Sequence, residues 1–299
     1  MKKLSFTLLA VANNDYQAEQ VIVARVAADR LGINLNIIHT EHDAILQSEQ
    51  VLKLLQSAPG TRPDGILFEP VGTSLAQAAK MAASVGVGWV VLNREVVDYL
   101  PGLRQQHRTP MFSVTARHSD VGRIQGEQIV RLLPKGGCVL QIHGPADNDA
   151  TKRRTAGMMS VKPANIEVRA LKGLWTEVSA YQSVASWLKL SIAKELVLGV
   201  VAAQNDAMAL GARKAFQELA TGATRERWLN LPFIGCDGLP GTGQAAVQSG
   251  LLAATVVIPP NAGLAVEALA SAFQNDKQPP ETIRTEPSSF PPLASLKPI

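Results

Sequence analysis

Short, unbroken apolar runs recur along this chain. Each closes on polar or turn residues and is followed by an amphipathic stretch. The runs sit in "FTLLAVANND", "DGILFEP", "GWVVLNRE", "GCVLQIHGP", "LGVVAAQND" and "PFIGCDG". A strand with one wet face alternates apolar and polar residues. A continuous run instead suggests a strand covered on both faces, as in a parallel sheet. The stretches between them, such as "QAEQVIVARVAADRLG", "TSLAQAAKMAASVG" and "DVGRIQGEQIVRLL", read as helices, and Gly32 and Gly86 follow two of them as C-terminal caps. Alternation of this kind predicts an α/β protein with doubly wound parallel sheets.

At 299 residues the chain has the length of two domains. The strand–helix pattern runs twice, once to about Thr109 and again from about Phe112. "LPGLRQQHRTP" reads as a surface loop between the fourth and fifth strands, and the proline-rich end "QPPETIRTEPSSFPPLASLKPI" as an extended closing segment.

Composition narrows the function classes. Lys plus Arg is 29 against 25 Asp plus Glu, a formal charge of +4, too small and too evenly spread to indicate nucleic acid. No apolar run is long enough to span a bilayer. Cys138 and Cys236 each lie inside an apolar run and read as buried free thiols. The five histidines show no metal-ligand spacing, and no G-x-S-x-G elbow or G-x-G-x-x-G turn is present. "GLPGTGQAA" lacks the Gly-Lys-Ser/Thr ending of a phosphate loop. No nucleophile–base arrangement is visible, so the expectation is a protein that is not an enzyme and takes no cofactor and no metal.

In open parallel sheets, ligands bind beyond the carboxyl ends of the strands. Those ends carry Asn13, Asn14, Glu69, Asn93, Arg94, His143, Gln204, Asn205, Asp206 and Asp237. Amides, carboxylates and guanidinium groups gathered along such edges suit a ligand with many hydroxyls. Asp206 reads as a first-turn acid of the following helix, and Asp237 before Gly238 has the form of a turn. His143 reads as structural.

Several segments together resemble a known family. "AQNDAMALGA" is the most specific, with "GCDGLP" followed by "SGLLAAT", the stretch "LFEPVGTSLAQAAKMAASVGVGWVVLNRE", and "NNDYQ" near the start. In this order they resemble the type I periplasmic binding proteins, the ribose- and galactose-type sugar receptors of ABC transporters. The resemblance covers nearly the whole chain. It implies two doubly wound lobes joined by a hinge, 1–116 with 259–284 and 117–258 with 285–299, with a ligand cleft between them. It implies ligand contacts from Asn14, Tyr16, Gln17, Glu69, Asn93, Arg94, Arg154, Trp175, Asn205 and Asp237. Glu69 stands where ribose-type receptors have an amide, Asn93 where they have an acid, and Ile258 where they have a hinge glutamine, which departs from a ribose site.

The expected ligand is a monosaccharide or related polyol. The expected partner is an ABC permease or other membrane receptor, and the expected state a monomer. Leu4–Ala12 reads as the first strand and not an export signal. The location implied is therefore the periplasm by resemblance, and the cytoplasm if Met1 is the native start. A cytoplasmic sugar-sensing module related to lac-repressor-type effector domains, without a DNA-binding segment, is the alternative role.

Overall fold

Each of the six apolar runs forms a strand. The computed structural model describes residues 3–11, 14–41, 43–72 and 75–298. By its internal contacts the chain divides into two units, Met1–Ala116 with Pro260–Thr285, and Arg117–Pro259 with Glu286–Ile299. The chain therefore passes from one unit to the other three times.

In the first unit the elements run β1 (Ser5–Ala10), α1 (Asp15–Arg30), β2 (Asn34–His39), α2 (Ala44–Gln56), β3 (Gly65–Phe68), α3 (Ala76–Ser84), β4 (Gly88–Leu92), α4 (Leu100–Gln106) and β5 (Met111–Ala116). The second unit continues with α5 (His118–Leu132), β6 (Gly137–His143), α6 (Asp149–Val161), β7 (Ile166–Lys172), α7 (Glu177–Leu188), α8 (Ser191–Glu195) and β8 (Leu198–Ala203). It goes on through α9 (Asp206–Leu219), α10 (Gly222–Leu229), β9 (Phe233–Asp237), a π-turn at Pro240–Gln244, α11 (Ala245–Gln248) and β10 (Ala254–Val257). The chain then returns to the first unit for α12 (Ala262–Asn275) and β11 (Thr282–Thr285), and ends in the second with β12 (Ser288–Phe290).

The two sheets have the same plan. The first has six strands in the order β2-β1-β3-β4-β5-β11, all parallel. The second has six in the order β7-β6-β8-β9-β10-β12, and only its last strand runs antiparallel. In each, the order reverses next to the first strand, the place where doubly wound sheets bind ligands.

Both faces of each sheet are covered. In the first unit, Leu9, Ile66, Phe68, Trp89 and Val91 point to one apolar cluster and Phe6, Leu8, Leu67, Val90 and Val114 to the other. In the second unit, Leu140, Ile142, Val201 and Ala203 face Phe216 and Trp228, while Val139, Val200, Ala202 and Ile234 face α5 and α6. Covering on both sides is why the strands read as unbroken apolar runs.

Gly32 and Gly86 end α1 and α3 in the left-handed region, at φ 67° and 75°. Cys138 and Cys236 are buried free thiols, and no helix among the described residues is long and apolar enough to cross a membrane.

Two expectations need correction. "LPGLRQQHRTP" is not a loop throughout: Leu100–Gln106 is helical, because Leu100 and Leu103, three apart, bury one face. The second repeat also does not begin at Phe112. β5 pairs with β4 through Trp89–Met111 and Leu92–Val114, so it closes the first repeat. A strand joins the sheet that supplies its hydrogen bonds, and no local pattern reveals which sheet that is.

Candidate functional site

Polar side chains gather at the carboxyl ends of the strands in both units. In the second unit, three consecutive residues after β8 have three separate tasks. Gln204 is fully buried. Its Oε1 accepts the Gly144 N–H at 3.0 Å, and its Nε2 donates to Thr151 O at 3.2 Å and Thr155 Oγ1 at 2.9 Å. It thereby fastens β8 to the β6–α6 connection. Asn205 is the N-cap of α9, its Oδ1 accepting from Met208 N at 2.9 Å while its Nδ2 donates to Trp175 O at 2.9 Å.

Asp206 is the first-turn acid of α9, as expected, but its carboxylate does not serve the helix end. It points under the sheet edge. There it accepts from Gly238 N at 2.7 Å and Thr255 Oγ1 at 2.6 Å. Gly235 and Gly243 close over it so tightly that a Cβ at either would collide with the carboxylate. Burial raises its pKa well above the usual carboxylate range, and the neighbouring Asp237 charge adds to the shift. The local sequence offered a good N-terminal acid; the tertiary structure used it to tie β8, β9 and β10 together.

Asp237 ends β9 at φ 98°, a left-handed conformation that Asp tolerates better than most residues. Its Oδ1 lies 3.9 Å from Nη1 of Arg154. Of the run Lys152-Arg153-Arg154, only Arg154 turns inward, at 7% exposure; Arg153 pairs with Asp149 at the surface. The Arg154 Nη1 also donates to the Gln204 carbonyl oxygen, and its guanidinium carbon lies 5.4 Å from the ring centre of Trp175. Trp175, at φ 65°, rests its ring on Gly144, where a side chain would leave no room. Arg154, Trp175, Asn205 and Asp237 thus form one cluster. His143 is half-buried nearby at the end of β6, and burial pushes its pKa down.

The first unit gathers its own set. Asn14 is the N-cap of α1, accepting from Gln17 N at 3.0 Å. Glu69, just past β3, accepts from Gln17 Nε2 at 2.6 Å and from Asn93 Nδ2 at 2.7 Å, both on Oε2. Asn93 follows β4 at φ 56°. Its Oδ1 accepts from Asn261 Nδ2 at 2.8 Å, and Asn261 Oδ1 in turn accepts from Gln20 Nε2 at 3.0 Å. Gln47 holds the segment after β3 in place, donating to Glu69 O at 2.8 Å and accepting from Val71 N at 2.9 Å.

Glu69, Gln17 and Asn93 are therefore in contact, and Asn14 joins them through α1. Tyr16 is half-buried on the first turn of α1. Arg94, half-buried just past Asn93, donates from Nη1 to Gly72 O at 2.6 Å. Asn13 lies outside the described residues. Ile258 is buried. The sequence reading named Gln204 as a strand-end residue and missed Gln20, Gln47 and Asn261. Polar residues on helix faces predicted to be buried were the only available sign for Gln20 and Gln47.

Among the described residues no group of three or more His, Cys, Asp or Glu is placed to hold a metal. What the two sets offer is hydrogen-bond donors and acceptors of fixed direction, with an indole face in the second.

Known proteins show the same organisation. A putative rhizopine-binding protein of Rhizobium meliloti is 29% identical over 194 residues, which cover 62% of this chain and 58% of that protein. The match therefore spans somewhat over half the length of that relative. The ribose import binding protein of Escherichia coli K12 is 24% identical over 83% of this chain and 77% of its own. Among solved structures, a galactofuranose binding protein superposes with a TM-score of 0.82 at 23% identity, covering 96% of this chain and 94% of its own. The binding protein of the arabinose ABC transporter of Shewanella sp. ANA-3 gives 0.80 at 21% identity, over 97% and 93%. A family profile described as "Periplasmic binding protein domain" matches residues 6–277, and on that extent the chain belongs to the periplasmic binding protein domain family.

Proposed function

We propose that this protein is a non-catalytic receptor for a monosaccharide or related polyol. It delivers its ligand to the permease of an ABC importer, acts in the periplasm and works as a monomer. The observation that carries the reading is the cluster at the second sheet edge. A carboxylate, Asp237, and a buried guanidinium, Arg154, meet beside the half-buried indole of Trp175. A carboxylate accepts hydroxyls, a guanidinium donates a fixed fork of N–H groups, and an indole face packs against sugar C–H groups. The amide and carboxylate set of the first unit adds donors and acceptors of the same kind. The family, and the sugars named for its ribose- and arabinose-binding relatives, support the reading.

The test is a thermal-shift screen of sugars and polyols followed by calorimetric titration of the best ligand. A ligand present at about one hundred times its Kd should stabilise the protein by roughly 2.7 kcal/mol. Asp237→Asn is the informative variant, because Asn tolerates a positive φ and keeps the shape while removing the charge. It should weaken binding by about 30- to 1000-fold, the equivalent of roughly 2–4 kcal/mol. Normal affinity in this variant, or recovery of a chemically altered sugar after incubation, would overturn the reading.

A further inference from the structure

Among the described residues, the groups that hold the Glu69 carboxylate are neutral. Both hydrogen bonds to its carboxylate come from neutral amides, Gln17 Nε2 at 2.6 Å and Asn93 Nδ2 at 2.7 Å. Among the described residues it takes part in no ion pair. Arg94, one residue beyond Asn93, spends Nη1 on the Gly72 carbonyl. The contrast with Asp237 is direct, since that carboxylate has the Arg154 guanidinium at 3.9 Å.

The carboxylate is also held in place. Oε2 takes both amide bonds, and Oε1 takes none among the described residues. The amides cannot turn away freely. Asn93 Oδ1 accepts from Asn261 Nδ2 at 2.8 Å, so the Asn93 NH2 must face Glu69. Asn261 is fixed in turn, donating to Val114 O at 3.1 Å and accepting from Gln20 Nε2 at 3.0 Å. Neutral amides at the ends of α1, β4 and α12 thus hold the carboxylate at the strand end, where Glu69 is partly exposed.

A sugar hydroxyl could hydrogen-bond to this carboxylate, but it would leave the charge uncompensated as water is displaced, and a glutamine would serve it as well. An ammonium group supplies both the donor and the opposite charge, and charge-assisted hydrogen bonds are the stronger kind. A metal ion does not fit, for no group of three or more possible protein ligands exists among the described residues.

We infer that Glu69 selects a cationic ligand group, so that the ligand is an amino-substituted sugar or polyol with an ammonium in place of one hydroxyl. This rests on the sugar-receptor reading above.

Calorimetric titration of the whole protein with matched pairs tests it: glucosamine against glucose, galactosamine against galactose, and an amino-inositol against myo-inositol. In at least one pair the amine should bind about tenfold tighter or more. The preference should shrink with added salt and vanish in Glu69→Gln, which keeps an acceptor for Gln17 and Asn93. A melting curve for that variant close to the parent's secures the comparison. Equal or tighter binding of the hydroxyl member in every pair that binds would overturn this inference and leave the receptor reading standing. A preference that survives Glu69→Gln would overturn it too. If no member of any pair binds while a neutral sugar from the wider screen does, this inference falls and the receptor reading stands; if nothing in the wider screen binds either, both fall.

Discussion

At the edge of the first sheet the acid stands after the third strand of the repeat, as Glu69 past β3, and the amide follows the fourth, as Asn93 past β4. At the edge of the second sheet the amide follows the third strand, as Asn205 past β8, and the acid ends the fourth, as Asp237 on β9. Both residues at the fourth strand's end adopt positive φ, 56° for Asn93 and 98° for Asp237. The backbone plan is thus repeated while the charge is moved by one strand. The support differs as well. Glu69 leans on neutral amides, whereas Asp237 has Arg154 beside it and Asp206 sealed beneath the same turn. A carboxylate at a sheet edge can therefore be kept for a ligand or used to build the edge, and burial with its hydrogen-bond partners distinguishes the two.

The sharpest way to break this comparison is to delete the two acids. Asp206→Ala leaves the Gly238 N–H and the Thr255 hydroxyl buried without their partner, and should lower unfolding stability by about 2–4 kcal/mol. Glu69→Ala exposes its amide donors to water and should lower it by less than about 1 kcal/mol. Urea unfolding of both variants measures the difference; equal losses would mean that Asp206 is not the edge-building acid.

Dependence on pH sharpens the same point. Burial and the Asp237 charge raise the pKa of Asp206 in the folded protein. The folded state therefore holds its proton more tightly than the unfolded chain does. Its contribution is fully present below the ordinary carboxylate pKa, about 3.9, and is lost as pH rises through the raised value. Subtracting the stability profile of Asp206→Asn from that of the parent should show a difference falling with pH across that window. A flat or rising difference would refute the assignment.

The helix caps should differ by less. Asn205→Ala removes both the cap of α9 and the bond to Trp175 O, and should cost about 1–2 kcal/mol. Asn14→Ala removes only the cap of α1 and should cost about 0.5–1 kcal/mol. Thermal melts of the two would show whether the second edge is the more tightly cross-braced. The smallest effect concerns Cys236, whose thiol burial pushes far up from its ordinary pKa. It should resist alkylation at pH 8 until the protein is unfolded in urea.

The strands were legible because covering a parallel sheet on both faces leaves an unbroken apolar run, and glycine marked two helix ends because only it enters the left-handed region without cost. α4 was missed since its proline and glycine are turn residues that here occupy a short helix with two buried leucines. At the second edge, "AQND" announced a strand end and a cap. It did not say that the first-turn acid's carboxylate would go to partners 32 and 49 residues away.

By itself, then, the sequence determined the two repeated α/β sheets and the strand ends as the polar loci, Asp237 among them, while Arg154 was named by the family resemblance. Periodicity and turn chemistry act over a few residues, and those features are local. Only the tertiary structure decided that Asp206 is a buried cross-link, and that Gln20 and Asn261 brace Asn93 and through it Glu69. Residue pairs such as Gln20 and Asn261 lie 241 positions apart. Their hydrogen bonds form because the sheet order brings α1 and α12 to the same edge, and nothing in either segment alone encodes the other.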